Sequence, residues 1–235
     1  MKRILMLTLL LLITGVGDIA ARPKAKWERR IERSKEQDKW EMDRIWRRRS
    51  SYFNLAYVSQ NTTTNIDELA SMHSDWGAAL SWGKTFYLHR RPIGRVLKFG
   101  LDWTWLDLNG ACFNQPLTSI FDGAYDETLY QLDAGMQLGP SITVNPVHHL
   151  KVSTYFRVTP SYSSVYAVEN ELFMGRYATY YNVGATVAWR VLSLGVEYRT
   201  GKATYDDLGE LSEWMPGLEI DVDTSSWRFY LGFRF

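Results

Sequence analysis

The chain has 235 residues, a formal net charge of +1 and one cysteine. This length fits a single domain, and a lone cysteine excludes both an internal disulfide framework and a cysteine-based zinc site. A chain that is 46% hydrophobic and 14% aromatic is too apolar to be disordered. The near-neutral charge argues against a nucleic-acid partner, and no motif predicts a cofactor.

The first element is a predicted export signal. Lys2 and Arg3 precede an uncharged, mostly apolar run from Ile4 to Gly17, and the small residues Ala20-Ala21 follow it. A basic start, a short apolar region and small residues at the cleavage site are the features of a secretory signal peptide. The run is shorter than the roughly 18 residues that a spanning helix needs. We therefore predict a signal peptide over 1–21.

A charged segment, 22–50, comes next and carries 12 Lys and Arg against six Asp and Glu. It has no Gly or Pro after Pro23, and its many Glu, Lys and Arg residues favour a helix. We predict a solvated periplasmic helix outside the main domain. The alternative is that Trp40, Trp46 and the arginines at 47–49 contact anionic lipid headgroups or a protein partner.

From Ser51 onward the hydrophobic period changes from that of a helix to two. In one segment, Leu97 and Phe99 alternate with Lys98 and Gly100. Such alternation recurs eight times, over 51–60, 75–88, 96–107, 129–139, 150–158, 177–189, 192–199 and 227–235. Alternation over about ten residues predicts strands with two different faces.

The two faces of these strands differ in chemistry. One is apolar, with Trp, Tyr and Phe near the segment ends, and the other carries charged residues, amides and glycines. Lipid outside and a polar interior explain this difference, and long links after odd strands with short links after even ones fit it too. We predict an all-β, antiparallel, up-and-down transmembrane barrel of eight strands over 51–235. The alternative is a soluble β-sandwich or a lipocalin-like barrel.

The polar face of each strand supplies side chains to the barrel interior. Eight strands enclose a space that side chains just fill, so charges there must pair to offset their desolvation. The predicted interior polar network comprises Lys98, Asp102, Gln131, Asp133, Gln137, Lys151, Arg157, Asn182, Glu197, Arg199, Arg228 and Arg234. We interpret it as a salt-bridged plug. The alternative is a narrow channel or a small-anion site.

The last strand, 227–235, alternates aromatic residues and ends on Phe235. This ending resembles the C-terminal sorting signal of bacterial outer-membrane proteins, and 51–235 resembles small OmpA/OmpX-type barrels. The resemblance implies a bacterial outer-membrane location among lipid and lipopolysaccharide, with both termini in the periplasm. It also implies recognition by the barrel assembly machinery during insertion. The residues that would carry this signal are Phe229, Leu231, Phe233 and Phe235.

The sequence offers one candidate catalytic group, His73-Ser74-Asp75, in the loop before the second strand. An imidazole, a hydroxyl and a carboxylate are the groups that acyl transfer uses. Consecutive residues of a strand point to alternate faces, however, so these three side chains are not expected to converge. Lipid A palmitoyltransferases combine an N-terminal helix, eight strands and loop-borne His and Ser, but that family needs an apolar interior.

We therefore predict a non-enzymatic barrel with no catalytic, metal or cofactor site. Its role would be structural, scaffolding or that of an accessory subunit, exerted through its outer loops and its helix. A periplasmic or outer-membrane protein would bind to residues 22–50. The alternative is a lipid-modifying enzyme, by acyl transfer or hydrolysis, that uses His73.

Overall fold

The computed structural model describes residues 26–47, 50–64, 71–119, 123–147, 149–169, 172–205 and 220–235. The chain divides into two units, Met1–Arg44 and Ile45–Phe235. The predicted signal peptide over 1–21 lies outside the described residues. In the part of the chain that the structure describes, no helix has the length and apolar character needed to cross a membrane.

Helix α1 spans Lys26–Arg47, within the charged segment. Its Glu, Lys and Arg residues lose little side-chain freedom in a helix, and Glu28 in the first turn complements the helix dipole. In the first unit, Trp27 is 63% exposed and Ile31 is 45% exposed. The short apolar face at the start of the helix is therefore open to solvent.

The described residues form nine strands, which follow one another along the chain. They are β1 (Ser51–Thr64), β2 (Met72–His73), β3 (Trp76–Tyr87), β4 (Leu97–Ser119), β5 (Gly123–Val147), β6 (Leu150–Ala167), β7 (Leu172–Trp189), β8 (Leu192–Tyr205) and β9 (Ile220–Arg234). Both β2 and β3 pair with β1, so together they act as one interrupted strand. Backbone Gln60 N donates to Ser74 Oγ, and Ser74 N donates to the Gln60 carbonyl, each at 2.8 Å.

The sheet closes on itself. Its strands pair antiparallel in chain order, and β1 also pairs with β9, from Tyr52 opposite Arg234 to Thr64 opposite Val222. Closure leaves no long edge with unpaired backbone groups. The prediction of a closed, eight-stranded antiparallel barrel is confirmed, with β2 and β3 counted as one strand, and the alternative of a soluble sandwich is wrong.

The two ends of the barrel differ in their connections. We call the end with links 88–96, 148–149 and 190–191 the turn end; β1 begins there and β9 ends there. We call the opposite end the loop end. The prediction of long links at the loop end is wrong for β4–β5 and β6–β7, which pair as far as Ser119–Gly123 and Ala167–Leu172. Ladder hydrogen bonds join backbone groups, so pairing continues beyond the alternating side chains.

An irregularity in β4 reverses its two faces. Thr104 lies opposite Gln137 and Asp107 lies opposite Gly135, so β4 has one extra residue between these pairs. A bulge of this kind shifts the alternation by one position. Beyond it Asp107 is 1% exposed and faces the interior, although the alternation from Val96 predicts the outer face.

The outward face of the barrel carries a belt of exposed apolar side chains. Its members include Trp76, Trp82, Phe86, Phe99, Trp103, Trp105, Leu132, Leu138, Phe156, Tyr181, Val183, Leu194, Trp227, Phe229 and Leu231, which are 38–65% exposed. A continuous apolar surface of this kind favours association in water but suits contact with acyl chains. With a polar interior behind it, the belt gives the fold of a transmembrane barrel.

Candidate functional site in the barrel interior

The structure buries all twelve residues of the predicted interior polar network, at 8% exposure or less. They comprise two charged groups and three amides. The central cluster, in which we include Asp107, comprises Asp102, Asp107, Asp133, Arg157, Glu197, Arg199 and Arg228. The turn-end group comprises Lys98, Lys151 and Arg234. The amides Gln131, Gln137 and Asn182 bond to the central cluster.

Two arginines connect most of the carboxylates in the central cluster. Arg157 Nη2 donates to Asp102 Oδ2 at 2.7 Å, and Arg157 Nη1 lies 3.6 Å from Glu197 Oε2. Arg228 Nη1 donates to Asp107 Oδ1 at 3.0 Å and to Glu197 Oε1 at 3.1 Å. Charge-assisted bonds of this length are stronger than neutral ones. Glu197 thus joins the two arginines.

Arg199 lies on the loop side of this cluster. Its Nη2 is 3.3 Å from Asp133 Oδ2, and its Nη1 is 3.9 Å from Asp107 Oδ2. Its guanidinium carbon lies 3.6 Å from the centroid of the Tyr180 ring. The Tyr180 hydroxyl donates to Asp133 Oδ1 at 3.3 Å. Three arginines therefore contact four carboxylates, and their contacts cross-link β4, β5, β6, β8 and β9.

Amide side chains extend the cluster. The bonds join Arg157 Nη1 to Gln137 Oε1 at 2.8 Å, Asn182 Nδ2 to Glu197 Oε1 at 2.8 Å, Gln131 Nε2 to Asp133 Oδ1 at 3.3 Å, Gln60 Nε2 to Gln131 Oε1 at 2.7 Å and Asn109 Nδ2 to Asp133 Oδ2 at 3.1 Å. Neutral donors and acceptors satisfy part of the bonding capacity that the ion pairs leave, as buried charges need. Among the described residues, Arg157 Nε, Arg199 Nε and Arg228 Nε have no hydrogen-bond partner.

Buried tyrosines line the turn side of the central cluster. The Tyr155 hydroxyl donates to Glu197 Oε2 at 2.9 Å and shares a 3.0 Å hydrogen bond with the Tyr230 hydroxyl. The Tyr230 hydroxyl also bonds to Thr186 Oγ1. Arg157 stacks on Tyr155, with its guanidinium carbon 3.5 Å from the ring centroid. Both phenols lie on the strand faces predicted to point inward, but the predicted network omitted them.

Asp107 is the charged residue that sequence reasoning missed. Its signal is local: Trp105 and Leu106 are consecutive apolar residues, and the alternation that resumes with Leu108 and Asn109 has the opposite phase. An extra residue that reverses phase is the sequence signature of a bulge. A carboxylate just after such a reversal belongs with the interior residues.

The turn end is occupied by Trp46, near the end of α1. Trp46 is 3% exposed, and its ring lies 5.4 Å from that of Tyr87. Lys98 Nζ and Lys151 Nζ lie 5.0 Å and 5.5 Å from its centroid. The alternative that Trp46 contacts lipid headgroups or a partner is therefore wrong, because the barrel unit buries it. The side chains of Trp40 and of residues 47–49 lie outside the described part.

The loop end of the interior holds two apolar clusters beside buried hydroxyl residues such as Thr62 and Thr224. One cluster comprises Ala178, Tyr180, Ala203 and Val222, and another comprises Met72, Ala111 and Phe113. The interior is thus layered, with apolar residues at the loop end, ion pairs in the middle, and basic and aromatic residues at the turn end. Among the described residues, no group of three His, Cys, Asp or Glu could hold a metal ion.

The candidate catalytic residues do not converge. Ser74 is 2% exposed, and its Oγ accepts a hydrogen bond from the Gln60 backbone. His73 and Asp75 are exposed, and His73 Nδ1 bonds to Asn61 Oδ1. The hydroxyl therefore faces the interior while the two flanking side chains face outward, as their alternation along the strand requires.

The four residues of the predicted sorting signal lie on the outer face of the last strand and just beyond it. Phe229, Leu231, Phe233 and Phe235 are 43–58% exposed. The Phe235 amide donates to the Ser51 carbonyl at 3.0 Å, which fixes the chain end beside the start of β1. Their recognition during assembly stays a prediction.

No protein-family model and no curated protein matches the sequence. Among solved structures, the chain is similar to Ail, the attachment invasion locus protein of Yersinia pestis, at 9% identity and a TM-score of 0.41 over 80% of this chain and 99% of that one. It is also similar to the outer membrane protease OmpT from Escherichia coli, at 9% identity and a TM-score of 0.47 over 79% of this chain and 96% of OmpT. The chain is also similar to Neisserial surface protein A, at 14% identity and a TM-score of 0.44 over 79% of this chain and 97% of that protein. Similarity at these levels identifies no family and assigns no activity.

Proposed function

We propose that this protein is a sealed, non-enzymatic barrel of the bacterial outer membrane with a structural or accessory role. The observation that carries the proposal is the central cluster. Its charged side chains are 4% exposed or less and bond to one another. Charges that pair with one another across an interior hold its strands together, and their partners are other side chains of the barrel and not a substrate.

The layers on either side of the central cluster support a sealed interior. Eight strands enclose a space that side chains fill, unlike the wide channels of large porins. Here the middle holds seven charged side chains, the turn end holds Trp46 and the loop end holds two apolar clusters. Each layer adds a barrier to hydrated ions, so we expect no steady conductance.

The outer belt supports placement in a membrane, with outer-membrane lipid and lipopolysaccharide around the barrel. In bacterial barrels of this kind the short turns lie on the periplasmic side. We therefore assign the turn end, with Ser51 and Phe235, to the periplasm. On this assignment β9 is the strand that the barrel assembly machinery recognises during insertion.

The charged helix supports an accessory role. Trp27 and Ile31 are exposed on the first unit, one helical turn apart, among Lys, Arg and Glu side chains. Aromatic anchors surrounded by charges are typical of protein interfaces. We propose a periplasmic or outer-membrane protein as the partner of residues 22–50. Replacing both Trp27 and Ile31 with Ala is expected to remove that partner from native purifications while the barrel stays folded.

Planar-bilayer recording on the purified full-length protein tests the sealed interior, with a porin reconstituted in parallel as the positive control. The proposal predicts no discrete current steps, and steady conductance would contradict it. The His73→Ala variant tests the non-enzymatic role. An unchanged lipid A profile is expected in cells that express it, whereas a changed profile would show that the barrel is a lipid-modifying enzyme.

A further inference from the structure

The end of helix α1 is held in the barrel by a set of aromatic and ammonium contacts. Trp46 meets Tyr87 edge-on, with ring centroids 5.4 Å apart and planes at 87°. Lys98 Nζ and Lys151 Nζ lie 5.0 Å and 5.5 Å from the Trp46 centroid, and 5.2 Å and 5.9 Å from the Tyr87 centroid. Two ammonium groups therefore share two rings, within the roughly 6 Å over which cations and aromatic faces attract.

These contacts lie across the turn end of the interior. Tyr87 is the last residue of β3, Lys98 is the second of β4, and Lys151 is the second of β6. Lys98 Nζ also donates to the Arg90 carbonyl at 2.9 Å, in the link between β3 and β4. The indole thus packs against the first inward-facing residues of two strands.

Only a short stretch of chain joins Trp46 to the barrel wall. The Ser50 carbonyl accepts a hydrogen bond from Thr85 N at 2.8 Å, which fixes the chain just after α1 to β3. The boundary between the two units falls after Arg44, two residues before Trp46. Trp46 is therefore the second residue of the barrel unit.

We propose that Trp46 is a stopper that closes the turn-end mouth of the barrel and opens it when the indole leaves the Tyr87 ring and the two lysines. The barrel wall is held by continuous backbone ladders, whereas the described contacts of the stopper are side-chain contacts to Tyr87 and two lysines. The stopper therefore moves without disruption of the sheet. Its withdrawal admits water and small solutes as far as the central cluster, which stays closed.

The reactivity of a cysteine introduced on the turn side of the central cluster measures this closure. Ser153 is 8% exposed and faces inward two residues after Lys151 in β6. Ser153→Cys in a Cys112→Ser background supplies a single thiol, and the rate of its reaction with a charged, membrane-impermeant maleimide measures access in the full-length protein. Each variant is first shown to be folded by its heat-modifiable migration on gels.

We expect Trp46→Ala to raise the labelling rate at least tenfold, because it removes the indole but keeps the helix. Trp46→Phe is expected to raise it less than threefold. Trp189→Ala removes an outward-facing indole at the turn end, which is 52% exposed, and is expected to leave the rate unchanged. The double variant Lys98→Met and Lys151→Met keeps the indole but removes its cationic contacts, and an intermediate rate is expected.

Equal rates for Trp46→Ala and the parent would overturn the stopper, and so would fast labelling of the parent or an equal increase from Trp189→Ala. If Trp46→Ala does not fold, the lysine variant decides: an unchanged rate overturns the proposal. The test is separate from that of the sealed barrel. Trp46→Ala is expected to label fast but to conduct no steady current.

Discussion

Removal of the Asp107 carboxylate by Asp107→Ala is the most direct perturbation of the central cluster. Both carboxylate oxygens accept from Arg228 Nη1, at 3.0 Å and 3.2 Å, and Arg199 Nη1 lies 3.9 Å away. Asp107 and both arginines are 2% exposed or less. Alanine would leave Arg228 with Glu197 as its remaining carboxylate contact among the described residues.

The expected cost follows from the distance and the burial. At 3 Å and an effective dielectric constant of about 20, one charge pair contributes roughly 5 kcal/mol before desolvation is counted. Removal of one partner from a buried pair typically lowers the free energy of unfolding by about 3–5 kcal/mol, because the other charge stays buried. That corresponds to roughly two to four powers of ten in the unfolding equilibrium constant.

The assay is reversible urea unfolding of the purified protein in phospholipid vesicles, followed by tryptophan fluorescence. Asp223→Ala is the matched control, because its carboxylate is 61% exposed and 3.6 Å from Lys202 Nζ. Exposed ion pairs contribute about 0–1 kcal/mol, so the control is expected to lose at most about 1 kcal/mol. A loss below about 1 kcal/mol for Asp107→Ala would refute the account of the central cluster.

Two further predictions concern packing and assembly. A Cβ at Gly139 would lie 2.8 Å from Arg157 Cα, whereas at Gly110 it would meet only the flexible end of Leu132 at 3.2 Å and a backbone oxygen at 3.8 Å. Gly139→Ala is therefore expected to lower the free energy of unfolding by at least about 2 kcal/mol in the same urea assay. Gly110→Ala is expected to lower it by less than about 1 kcal/mol, and equal losses for the two variants would contradict this reasoning. Phe235→Ser is expected to lower the heat-modifiable fraction of the protein in cells several-fold. Phe86 also faces outward, and Phe86→Ser is expected to lower that fraction less than twofold. Similar effects of the two serine variants would remove the special role of the chain end.

The alternation of side chains predicts the barrel wall well because it is a local property. Lys98 and Asp102 face inward while Phe99 and Leu101 face outward, as the period of two requires. The pattern fails at Asp107, where one extra residue in β4 reverses the phase. A bulge can be recognised in the sequence only when the alternation before it is compared with the alternation after it.

Contacts between distant segments were beyond sequence reasoning. Trp46 lies in a helical segment, and nothing local indicates that its indole meets Tyr87 and two lysines from later strands. The apolar clusters at the loop end were missed for a similar reason. Val222 belongs to an acidic stretch, but its burial depends on its register with Ala203 and Thr64 in the neighbouring strands.

The central claim, a closed barrel that spans the outer membrane, is tested most directly by cell fractionation combined with heat-modifiable migration. The account predicts that the protein sediments with the outer membrane, resists extraction by alkaline carbonate, and migrates differently before and after boiling. Recovery in the soluble periplasmic fraction, with identical migration of boiled and unboiled samples, would contradict it.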